Sequence, residues 1–361
     1  MEKLVSGLER VLVEWRKLQP LSDSVKEKMR RRFVLDFNYN SNHIEGNTLT
    51  YGQTEVLLLF GKVIGEAQIN DLEEMKASNV GLRMMIEEAV NREKPLTENF
   101  IRTLHKTLLR EDYTVYRNLP GGMQTSYTIH AGRYKTRPNS VITRYGDRFE
   151  YASPEETPAL MNDLVTWYNV EETKGRLTPV QLACLFHYRY IRIHPFEDGN
   201  GRIARLMANF ILLRHNLPMV VVRSREKQSY IEALHKADLS VGSAPSDGAH
   251  AELKQIMPFY THFVKLITEE VTTDIKFVTT HDENVWWFDG KMITFRSRHQ
   301  SSILRELWAN PNTRESELVE KLGINRSAVQ KHIHSLMEKG YIMKTLSGWY
   351  VTITASITLR S

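Results

Sequence analysis

The sequence predicts a mainly α-helical protein with one β-hairpin, followed by a small C-terminal segment of three short helices and two strands. Three observations carry this. Apolar residues recur at helical spacing from the N-terminus to about residue 270. One pair of β-rich runs, Val141-Ile142-Thr143-Arg144 and Arg148-Phe149-Glu150-Tyr151, interrupts that pattern around Tyr145-Gly146-Asp147. From residue 296 onward, short helical runs alternate with Pro, Thr and Gly punctuation and end in β-rich residues.

Glu2 to Gln19 places Leu4, Leu8, Val11, Leu12 and Trp15 on one face, and Pro20 ends the run. A second long helix is expected from Ser24 to near Glu45, stopped by Gly46. Thr97 is placed to cap a helix that starts after Pro95. Thr178-Pro179 starts another, with the proline in the first turn, where its missing N–H costs nothing. A lone two-stranded hairpin is marginal in water, so the 141–151 hairpin must lie against the helical body. Residues 271–295 read as a connector. Beyond it, Gln300 to Trp308, Arg314 to Leu322 and Asn325 to Lys339 are three helices. The third sets Val329, Ile333, Leu336 and Met337 on one face. Tyr341 to Ile353 then forms two strands around Ser347-Gly348.

The chain has 361 residues, 41% hydrophobic and 25% charged, the balance of an ordinary globular protein of two or three domains. The longest apolar runs, such as Val56 to Phe60 and Pro218 to Val222, fall far short of the roughly 18 residues of a membrane span. The first residues lack the layout of a signal peptide, so a cytoplasmic protein is the default expectation. The single cysteine, Cys184, excludes an intramolecular disulfide and a thiolate metal cluster, and its apolar neighbours make it a core residue. A formal net charge of +5 permits a phosphate-bearing ligand or DNA and demands neither. His-Glu-x-x-His and Gly-Lys-Ser/Thr signatures are missing, which excludes the metalloprotease and P-loop readings.

The densest chemistry lies in His194-Pro195-Phe196-Glu197-Asp198-Gly199-Asn200-Gly201-Arg202-Ile203-Ala204-Arg205. Pro195 stops one helix. Gly199-Asn200-Gly201 lets successive backbone N–H groups point into one concavity, and a new helix starts there. Its N-terminus offers free N–H groups and a positive dipole end to an anion. Arg202 and Arg205 share a face at i, i+3 spacing, so two cations flank the anion nest, as a polyphosphate requires. Asp198 is a hard oxygen ligand suited to Mg²⁺. His194, ordinarily titrating near 6.5, suits removal of a hydroxyl proton. Together these parts fit transfer of a phosphoryl-type group, which is mostly positioning and charge neutralisation.

This loop resembles the full Fic motif, and the resemblance spans roughly residues 30 to 265. It implies a Fic-type helical core with a hairpin flap, and transfer of AMP from ATP to a Ser, Thr or Tyr hydroxyl of a protein, with release of pyrophosphate. By resemblance, His194 is the general base, Phe196 a core anchor and Asp198 the Mg²⁺ ligand. Gly199, Asn200 and Gly201 form the anion hole, and Arg202 and Arg205 hold the β- and γ-phosphates. Gly201 separates the chain from the Doc branch, which carries lysine there and acts as a kinase. Tyr230 and Asp238 fall where the family contacts adenine; Asp238 departs from the expected Asn, and Tyr230 is equally suited to packing. Gly132-Arg133-Tyr134-Lys135-Thr136-Arg137 resembles the lead into the flap. The flap, about 140–151, either docks the target by β-augmentation or shields the core.

Ser41-Asn42-His43-Ile44-Glu45-Gly46 is a helix end whose Ser41 and Glu45 share a face. It also fits the family's inhibitory motif. On that reading Glu45 forms a bidentate pair with Arg205 and withholds it from the γ-phosphate. Residues 296–361 resemble a winged helix–turn–helix, with Leu318, Leu322 and Ile324 packing the turn. Arg326, Ser327, Gln330, Lys331 and His334 would be exposed on the third helix, where they suit phosphates and base edges; a protein-interaction role is open beside DNA. The expected domains are thus a helical region with the inhibitory helix (1–95), a catalytic core (96–270), the connector (271–295) and the winged helix (296–361). Expected partners are a protein substrate on the flap and no membrane, with self-modification, DNA and a homodimer left open. The competing readings are a DNA-binding regulator whose core senses nucleotide, and transfer of another nucleotidyl group.

Overall fold

In the computed structural model, residues 2–118, 124–142, 148–345 and 348–356 are described. Helix α1 runs Glu2–Lys17 and buries Leu8, Leu12 and Trp15, the stripe its spacing predicts. Helix α2, Asp23–Ile44, ends just before Gly46, whose φ of 106° only glycine adopts readily. Thr50 and Gln53 form a reciprocal capping box on α3, Tyr51–Phe60. Helix α4 spans Ile69–Val90. Helix α5, Glu98–Leu109, is capped as expected by Thr97, whose hydroxyl accepts from the Phe100 N–H at 3.1 Å.

Two hairpins follow. Strands β1 (Tyr113–Asn118) and β2 (Gln124–Ile129) pair antiparallel. This hairpin escapes sequence reading because most of its residues face solvent and its alternation, Thr125, Tyr127 and Ile129 inward, is short and mostly polar. Strands β3 (Ser140–Ile142) and β4 (Arg148–Glu150) are the expected flap, with Ser140 opposite Glu150. Its expected turn, Tyr145-Gly146-Asp147, lies outside the described residues, as do Thr143 and Arg144 of the first expected strand.

The centre is built by α6 (Thr157–Lys174), α7 (Pro179–Ile193) and α8 (Asn200–Arg214). Thr178 starts α7 with a second capping box, and Pro179 occupies the first turn. Both α7 and α8 are buried nearly all round, Cys184 included, which is how the central helices of a core read. Helices α9 (Lys227–Val241), α10 (Pro245–Ala249) and α11 (Met257–Thr279) complete the helical body.

The stretch 271–295, expected as a connector, carries the end of α11 and a hairpin of β5 (Val285–Phe288) and β6 (Lys291–Thr294). Asp289 and Gly290, at φ 45° and 69°, supply its two-residue turn. Val285, Trp286 and Trp287 are buried, so the segment belongs to a core. Helices α12 (Arg298–Ala309), α13 (Glu315–Leu322) and α14 (Arg326–Glu338) follow, then β7 (Ile342–Thr345), β8 (Gly348–Val351) and β9 (Thr354–Ala355). Strand β9 joins β5 and β6 in a three-stranded sheet, while β7 and β8 form the wing. Ser347, expected in the wing turn, lies outside the described residues. Leu318, Val329, Ile333 and Leu336 are buried, with Leu322 and Ile324 packed against them. Met337, expected on that face, is 43% exposed: it follows Leu336 by one residue, which turns it away from the core.

The chain divides into two compact units. One holds Met1–Leu8, Asn40–Gly46 and Glu73–Ile267; the other holds Glu9–Tyr39, Asn47–Leu72 and Thr268–Ser361. The last turn of α2 thus belongs with α7 and α8. Among the described residues no helix is long and apolar enough to cross a membrane.

Candidate active site

The loop between α7 and α8 is shaped by three local constraints. His194 closes α7 in a left-handed conformation (φ 50°, ψ 61°), its N–H donating to the Tyr190 carbonyl at 2.9 Å. Gly199, also left-handed, precedes α8. Asn200 ties the loop to itself: its Oδ1 accepts from the Phe196 N–H at 3.0 Å and its Nδ2 donates to the Phe196 carbonyl at 2.7 Å. Phe196 is fully buried and stacks on His105, with ring centroids 3.7 Å apart. The expected anchor role of Phe196 therefore has a named partner.

Opposite the start of α8 stands the last turn of α2. Arg205, buried, donates from Nη2 to Glu45 Oε1 at 2.6 Å and to the Ser41 carbonyl at 2.9 Å, and from Nε to Ser41 Oγ at 3.0 Å. The expected bidentate pair is thus a single contact, because Ser41 occupies the rest of that edge of the guanidinium. A Cβ on Gly201 would fall 2.5 Å from Glu45 Oε1. Glu45 therefore brings its carboxylate to the first turn of α8, where the free N–H groups and dipole favour an anion. The turn is held from the other side too. Lys227 Nζ donates to the Ile44 carbonyl at 2.5 Å, and the Ser224 N–H to Asn40 Oδ1 at 2.7 Å.

A cavity of about 810 Å³ opens here, within the range of small-ligand sites. It brings together Glu45, His194, Gly201, Arg205, Tyr230 and Asp238; Asp198, Gly199, Asn200, Arg202 and Ser41 do not line it. Phe149 and Tyr151 at the flap form one wall, and Tyr151 stacks on the His194 ring at 4.0 Å. Tyr230 is buried with its hydroxyl on His187 Nε2 at 2.9 Å, and burial raises it to about 12. Asp238 Oδ1 accepts from Tyr188 at 2.8 Å and from Arg192 at 3.4 Å; burial pushes its pKa up.

The family model described as Fic/DOC family matches residues 95–212. A solved Fic domain containing signaling protein from Bacteroides thetaiotaomicron is 52% identical, with a TM-score of 0.69 over 75% of this chain and 96% of that one. The chain belongs to the Fic/DOC family. Protein adenylyltransferase fic-1 of Caenorhabditis elegans is 31% identical over 245 residues, 65% of this chain and 44% of the relative. The chain spans less than half the length of that curated relative. A solved Fic family protein from Desulfovibrio desulfuricans covers 99% of the chain at 19% identity and a TM-score of 0.57, a likeness of fold alone. A winged helix-turn-helix DNA-binding model matches residues 296–343.

In this Fic chain, several residues that sequence reading passes over hold the loop. His105 Nδ1 accepts from the Gly132 N–H at 2.9 Å and its Nε2 meets the Asp198 carbonyl at 3.0 Å; burial lowers its pKa to about 4. Glu197 takes the Thr136 N–H and hydroxyl on Oε1 and the His130 N–H on Oε2. Tyr113 donates to Asp198 Oδ2 at 2.9 Å, and Arg202 to the same oxygen at 3.3 Å. Burial alone would raise Asp198; Arg202, Tyr113 and the Gly199 N–H outweigh it and lower the pKa. Lys135, in the stretch resembling the lead into the flap, donates to the Ile193 and His194 carbonyls and to Asn139 Oδ1. Burial, then the Lys135 charge, push His194 down to about 3, far below the value that composition alone suggests. The ring is therefore neutral at ordinary pH.

Proposed function

We propose that this Fic chain is a protein adenylyltransferase whose wild-type site is complete but held off by Glu45. One observation carries the reading: the 194–205 loop and the end of α2 meet at a single guanidinium, Arg205, 2.6 Å from Glu45. Its likeness to the Caenorhabditis elegans protein adenylyltransferase supports the same chemistry.

In the reaction, the target hydroxyl attacks the α-phosphorus of ATP, the bond to the β-phosphate oxygen breaks, and pyrophosphate leaves. His194 receives the hydroxyl proton. The N–H groups of Gly199, Asn200 and Gly201 and the cations Arg202 and Arg205 hold the phosphates, positioning that supplies most of the catalysis. Arg202 is buried with its Nε unpartnered among the described residues, as an anion ligand would require. Asp198, kept ionised and partly exposed, fits Mg²⁺, which prefers one or two carboxylates plus phosphate oxygens. When bound, the ion neutralises charge developing on the leaving phosphates. Tyr230 and Asp238 wall the base end of the cavity, with Asp238 able to accept from an exocyclic amine. Strands β3 and β4 form a two-stranded sheet whose outer edge suits an extended target segment.

Incubating a Glu45→Gly variant with Mg²⁺ and ATP in a lysate, then using mass spectrometry, tests this. An AMP adduct on a Ser, Thr or Tyr is expected. Another transferred group, or none, rejects AMP transfer.

A second reading rests on α14. Arg326, Ser327, Gln330, Lys331 and His334 are exposed on it, as DNA recognition needs, and the segment matches the winged-helix family. Glu315 stands against two of them, 3.1 Å from Gln330 and 3.9 Å from Arg326, which tempers the positive face. DNA binding would add a second activity to the same chain.

A further inference from the structure

His194 meets two side-chain amides at one nitrogen. Its Nδ1 lies 2.8 Å from Asn139 Nδ2 and 3.1 Å from Asn200 Nδ2. The direction of each contact follows from what the two carboxamides do elsewhere. Asn139 Oδ1 faces the Lys135 ammonium at 2.9 Å, which can only donate, and Asn139 Nδ2 faces the Phe196 carbonyl at 3.0 Å, which can only accept. Asn200 Oδ1 faces the Phe196 N–H and Asn200 Nδ2 the Phe196 carbonyl. Neither amide can turn over without setting donor against donor. Both N–H groups therefore point at His194 Nδ1, which must offer its lone pair. Lys135 is 3% exposed and also braces the Ile193 and His194 carbonyls, so the arrangement is built in rather than a surface accident.

We infer that Lys135 and Asn139 are positioning residues that fix the tautomer of His194, holding it in the resting site with its proton on Nε2. A neutral imidazole carries one N–H. With Nδ1 committed as acceptor, Nε2 is a donor and has no lone pair for a hydroxyl proton. The imidazolium form is disfavoured by the same two N–H groups and by the lysine charge. The inference rests on the reading of His194 as proton acceptor and adds a second condition to it. Freeing Arg205 from Glu45 completes the phosphate site, but base action also needs the ring proton moved to Nδ1. Asn139 is where that change is easiest. A flexible lysine faces its oxygen, whereas a backbone N–H faces that of Asn200.

The test is ¹⁵N NMR of the full chain labelled at histidine, without nucleotide, with the His194 signals assigned by their loss in His194→Gln. The wild type should show Nδ1 in the unprotonated range and Nε2 in the protonated range. Asn139→Asp puts an acceptor-only carboxylate against Nδ1 and should invert that pattern. Lys135→Met releases the Asn139 oxygen and should move Nδ1 to an intermediate position, a mixture of both tautomers. A protonated Nδ1 in the wild type, or an Asn139→Asp spectrum unchanged from wild type, overturns the inference. These spectra are read without any group transfer, so they fail separately from AMP incorporation, whose loss in His194→Ala bears on the underlying reading.

Discussion

Arg205 Nη2 lies 2.6 Å from Glu45 Oε1, and the same guanidinium donates to both the hydroxyl and the carbonyl of Ser41. A cation expected to face triphosphate is thereby occupied by three oxygens of the last turn of α2. The guanidinium is buried while the Glu45 side chain is 37% exposed, so the carboxylate can leave into solvent whereas Arg205 cannot. On the proposed function, inhibition and activity differ by who holds one side chain.

Ser41→Ala should release the brake in part. It removes the 3.0 Å contact to Nε but leaves the carbonyl and Glu45 in place. A charged hydrogen bond contributes about 1.5–3 kcal/mol; with about half of that shifting the competent population, roughly 3- to 12-fold more AMP incorporation is expected, less than Glu45→Gly produces. Equal or larger activation by Ser41→Ala would place the hold on the serine.

Asp198→Ala should demand far more Mg²⁺ for half-maximal AMP transfer in a Glu45→Gly background, with maximal rate also reduced. Titrating Mg²⁺ against initial rate separates the two. An unchanged Mg²⁺ midpoint removes Asp198 from the metal site.

Glu55, on α3, gives a stability test distant from catalysis. It is buried with Oε2 unpartnered among the described residues, and burial raises its pKa to about 7; Arg31 at 4.0 Å lowers it and Asp36 raises it further. The folded state thus holds this proton more tightly than the unfolded chain, which releases it near 4.5. Below that pH the group is neutral in both states and costs nothing. Between pH 4.5 and 7 stability falls as pH rises, and above 7 the full cost of a buried charge is present. Glu55→Gln should match the wild type near pH 4.5 and exceed it at pH 8 by up to roughly 3 kcal/mol. Urea unfolding at both values checks this; a pH-independent difference contradicts it.

If α14 recognises DNA, affinity should fall steeply with salt as phosphate contacts release counterions, and Lys331→Glu should flatten the slope. A binding isotherm that is flat even at low salt rejects DNA as a partner of this segment.

The arrangement of the loop was legible because it is contiguous: histidine, aspartate, Gly-Asn-Gly and two arginines fall within twelve residues, with spacing set by one turn and one helix start. Glu45 was legible through its four-residue offset from Ser41. The supports were not. Asn139 is 55 residues from His194, and His105 is 93 from Asp198, so only the fold reveals that they meet. The single rather than double contact at Glu45 depended on where the Ser41 hydroxyl sits, which spacing does not state. The β1–β2 hairpin alternates over only a few residues, Thr125, Tyr127 and Ile129 of β2, too short a period to single out. The β5–β6 hairpin carried a different signal, the β-rich run Val285-Trp286-Trp287-Phe288 before the turn pair Asp289-Gly290; its brevity made it look like a linker.

The central claim is that an intact site is held off by Glu45. Incorporation of α-labelled ATP into protein by wild type, Glu45→Gly and the double variant Glu45→Gly/His194→Ala tests it most directly. The account predicts weak labelling by the wild type, roughly 10- to 100-fold more by Glu45→Gly, and none by the double variant. Equal labelling by wild type and Glu45→Gly contradicts the brake, and labelling that survives loss of His194 contradicts the site.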